Sequence, residues 1–345
     1  MSYKSVVSAA PCLIRGVVRK MSGAGRYQVF VTRSDMPECG VELLKKECEV
    51  KLWNQPSPVP RAEFLKRVPG SNAIYCSLTD KIDKELLDAA GPGLKVVSTI
   101  SVGYDHIDVA ECKKRGIRIG YTPDVLTDAT AELTLALLLS TSRRLPEAQH
   151  EAKTGGWVSW APTWMTGPGL AGATVGIVGF GRIGQAVARR VKAFNTAKIL
   201  YYNRSERSEA KETGAIKVSF DDLLAQSDFV ICCAALVPET KEIFNKSAFE
   251  KMKRTAVFVN TSRGATVDQN ALIDALKNKT IRAAGLDVTT PEPLPLDSQL
   301  FKLDNCVVLP HIGSASIEAR DTMSELTARN ILAALKESEM PAELK

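Results

Sequence analysis

A glycine-rich turn between a predicted strand and a predicted helix constrains this chain more than any other stretch. An apolar run at residues 175–178 is followed by glycines in the pattern G-x-G-x-x-G, and a helical pattern begins near residue 186. Gly179 allows the tight bend, Gly181 lets a pyrophosphate approach the backbone, and Gly184 lets helix and strand pack closely. The free N–H groups at Arg182 and Ile183 favour phosphate. The stretch therefore predicts a dinucleotide-binding unit.

Composition limits the remaining possibilities. The chain has 345 residues, of which 45% are hydrophobic and 24% charged, as is typical of a soluble globular protein with about two domains. No apolar run is long enough to span a membrane, so we expect no membrane association. The eight cysteines lack metal-binding spacing, and we place Cys232 and Cys233 in the middle of a buried strand. This pattern predicts reduced thiols in an intracellular protein without a structural metal.

The net charge of +6 is concentrated at the N-terminus. Residues 1–34 contain six basic residues and no acid, which leaves 39 basic and 39 acidic residues in the rest of the chain. A neutral body argues against nucleic-acid binding. Residues 1–25 form a basic extension that is either a mitochondrial targeting segment or an ordinary extension before the first strand. We predict a cytoplasmic location, with the mitochondrion as the alternative.

Strand and helix patterns alternate along the first part of the chain. Strands are predicted at residues 29–31, 50–53, 73–76 and 96–98, with helices at 41–48, 62–67 and 84–89 between them. Such alternation predicts a parallel sheet covered by helices on both faces. We assign residues 26–121 to this first domain. The turn after its fourth strand could bind a small carboxylate through the N–H groups of Val102 and Gly103, because ligands bind at the carboxyl ends of such strands.

A second domain is predicted over residues 122–310. It opens with a helix at residues 131–142, for which Thr127 or Asp128 could serve as the N-cap, while Pro146 lies beyond the helix end. A helix of this length between two sheets would suit a hinge. The fold class is thus α/β with two doubly wound parallel sheets, one of them of the Rossmann type.

The residues after the second strand of this domain indicate which dinucleotide binds. An NAD-binding unit usually places an acidic residue there, on the ribose 2′-hydroxyl. This chain has Asn203, Arg204 and Ser205 instead, followed by Glu206 and Arg207. Two guanidinium groups suit a 2′-phosphate, so we predict NADPH as the cofactor and NADH as a weaker alternative. The competing interpretation is a solvated loop in which Glu206 neutralises one arginine.

Three later strands end in polar residues that should meet at one sheet edge. The strands are predicted at residues 256–259, 283–286 and 307–309, and they lead to Arg263, Asp287 and His311. Because the carboxyl ends of parallel strands face the ligand crevice, these residues should converge there with Glu292. Histidine is the favoured acid–base residue near neutral pH, and His311 is the only one of three histidines to follow a strand of the second domain.

At these motifs the chain resembles the D-2-hydroxyacid dehydrogenase family, and within it the animal branch that reduces glyoxylate and hydroxypyruvate. The resemblance extends from about residue 29 to 344 and includes SVGYDHID, GGWVSW, VGFGRIGQAVARR, NTSRG, AAGLDVTTPEPLP and LPHIGSA. It implies a catalytic trio of Arg263, Glu292 and His311. It further implies that a C-terminal helix within residues 311–345 completes a flavodoxin-like substrate domain, for which Ala319, Met323, Leu326 and Ala333 offer one helical face.

The resemblance also implies an activity and a wider set of site residues. The expected reaction is NADPH-dependent reduction of small 2-keto acids, glyoxylate to glycolate and hydroxypyruvate to D-glycerate, with His311 as proton donor to the carbonyl oxygen and Glu292 as the group that orients it. The substrate-binding residues would be Val102, Gly103, Trp160, Arg263, Asp287, His311 and Ser314. Beyond the glycine-rich turn and residues 203–207, the cofactor-binding residues would include Thr127, Ala235, Thr261, Asp287 and Gly313.

Three of the four tryptophans lie within eight residues of a Gly- and Pro-rich segment. Trp157, Trp160 and Trp164 need apolar surroundings, either in the core or at an interface. We favour an interface, because the family forms homodimers through the nucleotide-binding domains. By motif position the resemblance implies that Trp160 covers the partner's substrate cleft.

Two alternative functions remain at this point. The first is a non-enzymatic corepressor of the same superfamily that binds partner peptides in response to the dinucleotide. That branch carries an acidic residue after the second strand of the dinucleotide-binding domain, so Asn203 and the arginine after it argue against this alternative. The second is another D-2-hydroxyacid dehydrogenase, such as a formate or phosphoglycerate dehydrogenase. The animal phosphoglycerate enzymes usually carry regulatory domains that we do not expect here.

Overall fold

Two parallel β-sheets, each covered by helices on both faces, form the protein. The computed structural model describes residues 26–345, so the expectation for the extension at residues 1–25, and with it the choice of cellular compartment, lies outside the described residues. Within residues 26–345 the structure has no helix with both the length and the apolar character needed to cross a membrane. The predicted fold class, α/β with two parallel sheets, is confirmed.

The first sheet has five strands in the order β2-β1-β3-β4-β5, with all neighbours parallel. This is the flavodoxin-like order that the resemblance implied. The strands are β1 (Gln28–Val31), β2 (Glu49–Leu52), β3 (Ala73–Cys76), β4 (Val96–Thr99) and β5 (Arg118–Gly120). The helices between them are α1 (Glu38–Glu47), α2 (Arg61–Arg67), α3 (Lys84–Ala90) and α4 (Val109–Lys114).

The second sheet has seven parallel strands in the order β12-β11-β10-β9-β6-β7-β8, a Rossmann-type arrangement in which the direction of strand addition reverses between β6 and β9. The strands are β6 (Thr174–Val178), β7 (Lys198–Tyr202), β8 (Ile216–Lys217), β9 (Phe229–Cys232), β10 (Val257–Asn260), β11 (Ala283–Leu286) and β12 (Cys306–Val308). The helices are α5 (Thr127–Ser142), α6 (Leu145–Thr154), α7 (Arg182–Lys192), α8 (Ala210–Thr213), α9 (Phe220–Gln226), α10 (Lys246–Lys251), α11 (Gln269–Lys277) and α12 (Ile317–Leu335), with short 3-10 helices at Pro238–Thr240, Gly264–Thr266 and Gln299–Lys302.

Two local expectations are wrong. Strand β9 ends at Cys232, and Cys233 lies just beyond it, half-buried at the sheet edge, because the chain turns there after one last hydrogen bond to β6. Neither Thr127 nor Asp128 caps α5. The N-cap residue is Leu126, which has no capping side chain, and the Thr127 N–H donates to the Asp124 carbonyl instead. Pro146 lies beyond the end of α5, as predicted, and is in the first turn of a new helix, α6, where proline is tolerated.

The C-terminal helix α12 packs on the first sheet, although it follows the second sheet in sequence. Its buried side chains join the core formed by β1, β3, β4 and α1. Of the predicted face, Ala319 and Met323 are buried, Ala333 is partly buried, and Leu326 is not in this core. The contact face is centred instead on Ala319, Met323, Ser324, Thr327, Ala328, Ile331 and Ala334.

The contact between α1 and α12 is close enough to test by adding one methyl group. A Cβ on Gly40 of α1 would lie 2.3 Å from the carbonyl oxygen of Ser324. Alanine would gain about 1 kcal/mol of helix propensity over glycine, but displacing backbone in a packed core costs roughly 1–3 kcal/mol. We therefore expect Gly40→Ala to lower the urea midpoint. Gly169→Ala is the control, because nothing lies within 4 Å of its added Cβ. A Gly40→Ala protein as stable as wild type would contradict this packing.

Candidate active site

The reversal in strand order creates a cleft of about 310 Å³ at the carboxyl ends of β6, β7 and β9. Open parallel sheets bind their ligands at such a point. Nine of the predicted cofactor-binding residues line it: Thr127, Gly179, Gly181, Arg182, Ile183, Asn203, Arg204, Arg207 and Ala235. Val102, predicted to bind the substrate, also lines this cleft and so connects it to the first sheet.

The glycine-rich turn fits the phosphates of a nicotinamide dinucleotide. Gly179 has a φ of +90°, and a Cβ there would lie 2.5 Å from the backbone nitrogen of Ala234, so only glycine suits this turn. A Cβ on Gly181 would meet nothing within 4 Å, which leaves the backbone open to an approaching ligand. No side chain caps the N-terminus of α7, and its first turn carries no acid. The positive end of the helix dipole is therefore available to an anion.

The loop after β7 presents two guanidinium groups to the same cleft. Arg204 and Arg207 are exposed and line the cleft. The Asn203 side chain stabilises the loop, because it accepts from the Phe180 N–H at 3.4 Å and donates to the Ser205 carbonyl at 3.0 Å. Within residues 26–345, Glu206 forms no ion pair with either arginine. The geometry thus gives no support to a loop neutralised by Glu206.

The structure places the other five predicted cofactor residues outside this cleft lining. Gly184 serves packing, because a Cβ there would lie 2.2 Å from the Gly179 carbonyl oxygen. Ser205 is exposed, and Thr261 is nearly buried with its hydroxyl 2.8 Å from that of Thr134. Asp287 and Gly313 are buried, and the Gly313 N–H donates to the Asp287 carboxylate.

One ion pair at the cleft was not expected from the sequence. Asp124, in the segment that connects the two sheets, pairs with Arg182 at the start of α7, and both side chains are largely exposed. The sequence offers little to predict this pair. Asp124 lies in an irregular TPD segment, and only the fold brings that segment close to the glycine-rich turn. The pair links the connecting segment to the dinucleotide-binding turn.

A buried carboxylate fixes the loop after β12. Asp287 is 1% exposed, and its two oxygens accept hydrogen bonds from the N–H groups of Ile312 and Gly313, both at 2.8 Å. Burial raises the pKa of Asp287, while these two hydrogen bonds and the neighbouring His311 oppose the rise. The His311 N–H also donates to the Asp287 carbonyl at 2.9 Å. These bonds hold His311 at a φ of +55°, a conformation that non-glycine residues seldom adopt.

His311 and Glu292 form a hydrogen-bonded pair at the sheet edge. The Nδ1 atom of His311 lies 2.7 Å from one carboxylate oxygen of Glu292, whose other oxygen accepts from the Thr289 N–H at 3.0 Å. Burial alone would raise the pKa of Glu292, but the hydrogen bond and charge of His311, with the Thr289 N–H and Arg263, hold it below its ordinary value. An ionised Glu292 orients the ring through Nδ1, and Nε2 makes no hydrogen bond among residues 26–345.

Arg263 crosses from the second sheet to the turn after β4. Its Nε donates to a carboxylate oxygen of Asp105 at 3.0 Å, and one Nη1 hydrogen is donated to the Ser262 carbonyl at 2.9 Å. A Cβ on Gly103 would lie 1.5 Å from Nη2, so the guanidinium rests directly against this turn. The structure thereby brings the predicted carboxylate-binding turn and the predicted substrate-binding arginine together.

His106 lies closer to this site than the sequence suggested. It directly follows Asp105, and its Nε2 is 3.0 Å from the Thr99 hydroxyl. Burial lowers the pKa of His106 to about 4; the charge of Arg263 acts in the same direction, and Asp105 opposes it. A neutral His106 is poorly suited to donate a proton near pH 7. His150 lies on the exposed surface of α6, which leaves His311 as the acid–base candidate.

Among residues 26–345, neither Trp160 nor Ser314 is hydrogen-bonded to Arg263, Asp287 or His311. Trp160 is 81% exposed in the segment after α6, and its neighbours Trp157 and Trp164 are 63% and 40% exposed. Ser314 is half-buried, and its carbonyl accepts from Arg320 Nε at 3.2 Å. Among residues 26–345, no group of three or more His, Cys, Asp or Glu side chains could hold a metal ion.

Comparison with known proteins identifies the family. The NAD-binding domain model of the D-isomer specific 2-hydroxyacid dehydrogenases matches residues 135–313. The glyoxylate reductase/hydroxypyruvate reductase of Homo sapiens is 54% identical over 320 residues, covering 92% of this chain and 98% of that protein. The glyoxylate reductase of Thermococcus kodakarensis is 48% identical over 324 residues, covering 92% of this chain and 96% of the relative.

A solved structure agrees with these sequence relatives. An NADPH-dependent glyoxylate/hydroxypyruvate reductase from Sinorhizobium meliloti, in complex with NADP and malonate, superimposes with a TM-score of 0.80 at 32% identity, covering 93% of this chain and 97% of that one. The match therefore includes both sheets as well as the glycine-rich turn. With its Rossmann-type cleft and its histidine–glutamate pair at the strand ends, this chain belongs to the D-isomer specific 2-hydroxyacid dehydrogenase family.

Proposed function

We propose that this protein reduces small 2-keto acids, glyoxylate and hydroxypyruvate foremost, with NADPH as the preferred reductant. The observation that carries the proposal is a series of contacts at the strand ends: His311 is hydrogen-bonded to Glu292, the charge of Arg263 helps to lower the pKa of Glu292, and the Arg263 guanidinium rests against the turn at Gly103. A keto acid offers a carboxylate and a carbonyl oxygen, which these groups are chemically suited to bind. Relatives named as glyoxylate and hydroxypyruvate reductases support the same substrates.

Each residue has a defined task in this proposal. The N–H groups at Val102 and Gly103 hold the substrate carboxylate, and Arg263 binds both the carboxylate and the carbonyl oxygen. A bound reduced nicotinamide supplies the hydride that C2 of the keto acid receives. His311 donates a proton to the carbonyl oxygen as negative charge develops there, and Glu292 stabilises the imidazolium before the transfer. On this view, residues 26–121 and 311–345 make the substrate domain, and residues 122–310 bind the cofactor.

The preference for NADPH rests on the loop after β7. No acidic side chain from this loop lines the cleft, whereas Arg204 and Arg207 do. Charge-assisted hydrogen bonds from guanidinium to phosphate are among the stronger polar contacts in proteins. A 2′-phosphate would therefore gain affinity here, and a free 2′-hydroxyl would lack the usual carboxylate acceptor.

A steady-state assay of the purified protein tests the proposed reaction. Glyoxylate, hydroxypyruvate and pyruvate would each be offered with NADPH and with NADH, and oxidation of the cofactor followed at 340 nm. We expect turnover with glyoxylate and hydroxypyruvate and a higher kcat/KM for NADPH than for NADH. Turnover of neither acid with either cofactor would reject the proposal.

Replacement of His311 tests the proton donor. We expect His311→Ala to lower kcat by about 100-fold or more, since positioned general acids contribute on this scale. His311→Asn is a second variant, because asparagine tolerates a positive φ and cannot donate a proton from a titrating ring. His150→Ala on exposed α6 is the control and should retain wild-type kcat. Full activity in either well-folded His311 variant would assign proton donation to another group.

Replacement of Arg204 tests the cofactor preference. We expect Arg204→Ala to raise KM for NADPH by about tenfold or more and to leave KM for NADH within about twofold, because only the 2′-phosphate requires the guanidinium. Lys211→Ala removes a nearby exposed charge outside the cleft lining and serves as the control. An equal rise for both cofactors would place Arg204 on the pyrophosphate instead.

We further propose that the protein acts as a homodimer in which Trp160 covers the partner's substrate cleft. Three tryptophans and Val158, which is 90% exposed, form an apolar segment at residues 157–164 that the single chain leaves largely uncovered. Apolar surface of this kind favours burial against another protein. A rigid indole over the cleft would favour two- and three-carbon acids over bulky ones.

Mixing two impaired variants tests this shared site. Trp160→Ala and His311→Ala subunits would be combined under conditions that exchange subunits. One of the two sites in each heterodimer would then contain both native residues, so activity should rise above that of either parent. If exchange is demonstrated by mass spectrometry and Trp160→Ala alone is impaired, the absence of any rise would mean that Trp160 acts within its own subunit.

A further inference from the structure

Asp105 makes an ion pair that crosses between the two parts of the protein. It lies in the loop after β4 of the first sheet, and its carboxylate oxygen accepts from Nε of Arg263, which follows β10 of the second sheet. The Asp105 side chain is 39% exposed and that of Arg263 is 23% exposed. The proposed mechanism assigns no role to Asp105.

The Asp105 carboxylate restricts which edge of Arg263 is available. Nε is occupied by Asp105 and one Nη1 hydrogen by the Ser262 carbonyl, while Nη2 rests against Gly103. A guanidinium has five N–H donors in a rigid plane, so two such bonds fix the plane and leave three donors for other acceptors. Those on Nη2 lie beside the turn that would hold the substrate carboxylate.

The charges around Asp105 favour a stable ion pair between Asp105 and Arg263. Burial raises the pKa of Asp105, but the charge of Arg263 and its hydrogen bond outweigh this and hold the pKa below its ordinary value. His106, the neighbouring titratable side chain, has a pKa lowered to about 4 by burial and is therefore neutral near pH 7. Among residues 26–345, Arg263 is the only cation in an ion pair with Asp105.

We propose that Asp105 is a positioning residue for the reductase: it fixes the Arg263 guanidinium across the cleft, with Nη2 facing the substrate carboxylate. The inference rests on the proposed function. Its physical basis is that a bidentate contact with a planar carboxylate tolerates little misalignment, so an arginine free to rotate loses affinity although its charge is unchanged. A partly exposed ion pair contributes little to stability, so the principal effect should be on substrate binding.

The test compares Asp105→Ala, Asp105→Asn and wild type. We expect Asp105→Ala to raise KM for glyoxylate about tenfold or more while the Kd for NADPH, measured by quenching of protein fluorescence, changes by less than about twofold. Asp105→Asn keeps an oxygen acceptor for Nε and should recover part of the loss. Asp88→Ala is the control: it removes a partner of Arg115, which still pairs with Glu111, and should leave KM unchanged.

A double-mutant cycle with Arg263 shows whether Asp105 acts through that side chain. In the Arg263→Ala background, Asp105→Ala should change kcat/KM for glyoxylate by less than about twofold, because the group to be positioned is gone. The same fold-loss in both backgrounds would overturn the proposal, as would an unchanged or lowered KM in Asp105→Ala, or a parallel rise in the Kd for NADPH. If the wild-type protein reduces no keto acid, the proposed function is rejected. If the wild-type protein is active and KM for glyoxylate is unchanged in Asp105→Ala, only the positioning role is rejected.

Discussion

The buried carboxylate of Asp287 is the constraint on which the active-site geometry depends. Its oxygens accept the N–H groups of Ile312 and Gly313, so the backbone after β12 turns sharply and holds His311 in a left-handed conformation. A buried carboxylate with unsatisfied oxygens would be strongly destabilising, which makes these two bonds effectively obligatory. Once His311 is fixed in this way, its Nδ1 meets Glu292, and the opposite ring nitrogen is left for a ligand.

The site also depends on the segments and side chains that connect the two parts of the protein. The C-terminal helix α12 returns to the first sheet, and α5 begins beside the dinucleotide cleft, so the chain passes between the two parts more than once. Side chains reinforce this arrangement: Asp124 pairs with Arg182, and Arg263 reaches Asp105 and the Gly103 turn. The groups expected to bind the substrate therefore come from both sheets, whereas the groups suited to the cofactor lie mainly on one.

Much of this arrangement was predictable from the sequence, and the failures have physical causes. Strand alternation and the glycine pattern predict two parallel sheets and a cleft because they depend on local periodicity and sterics. The ends of elements were less predictable: Cys233 lies outside its strand, and neither Thr127 nor Asp128 caps α5, since backbone hydrogen bonds that the sequence pattern does not show set these ends. Asp105 was missed although it lies two residues after Gly103, because its partner is 158 positions away and only the fold brings Arg263 to it.

In the proposed reaction, hydride reaches C2 of a keto acid while His311 protonates the carbonyl oxygen. Incubation of the protein with hydroxypyruvate and NADPH deuterated at C4 of the nicotinamide, on the transferred face, tests this directly by NMR of the product. We expect D-glycerate with one deuterium at C2. Glycerate without deuterium at C2, or a product of the L configuration, would contradict it.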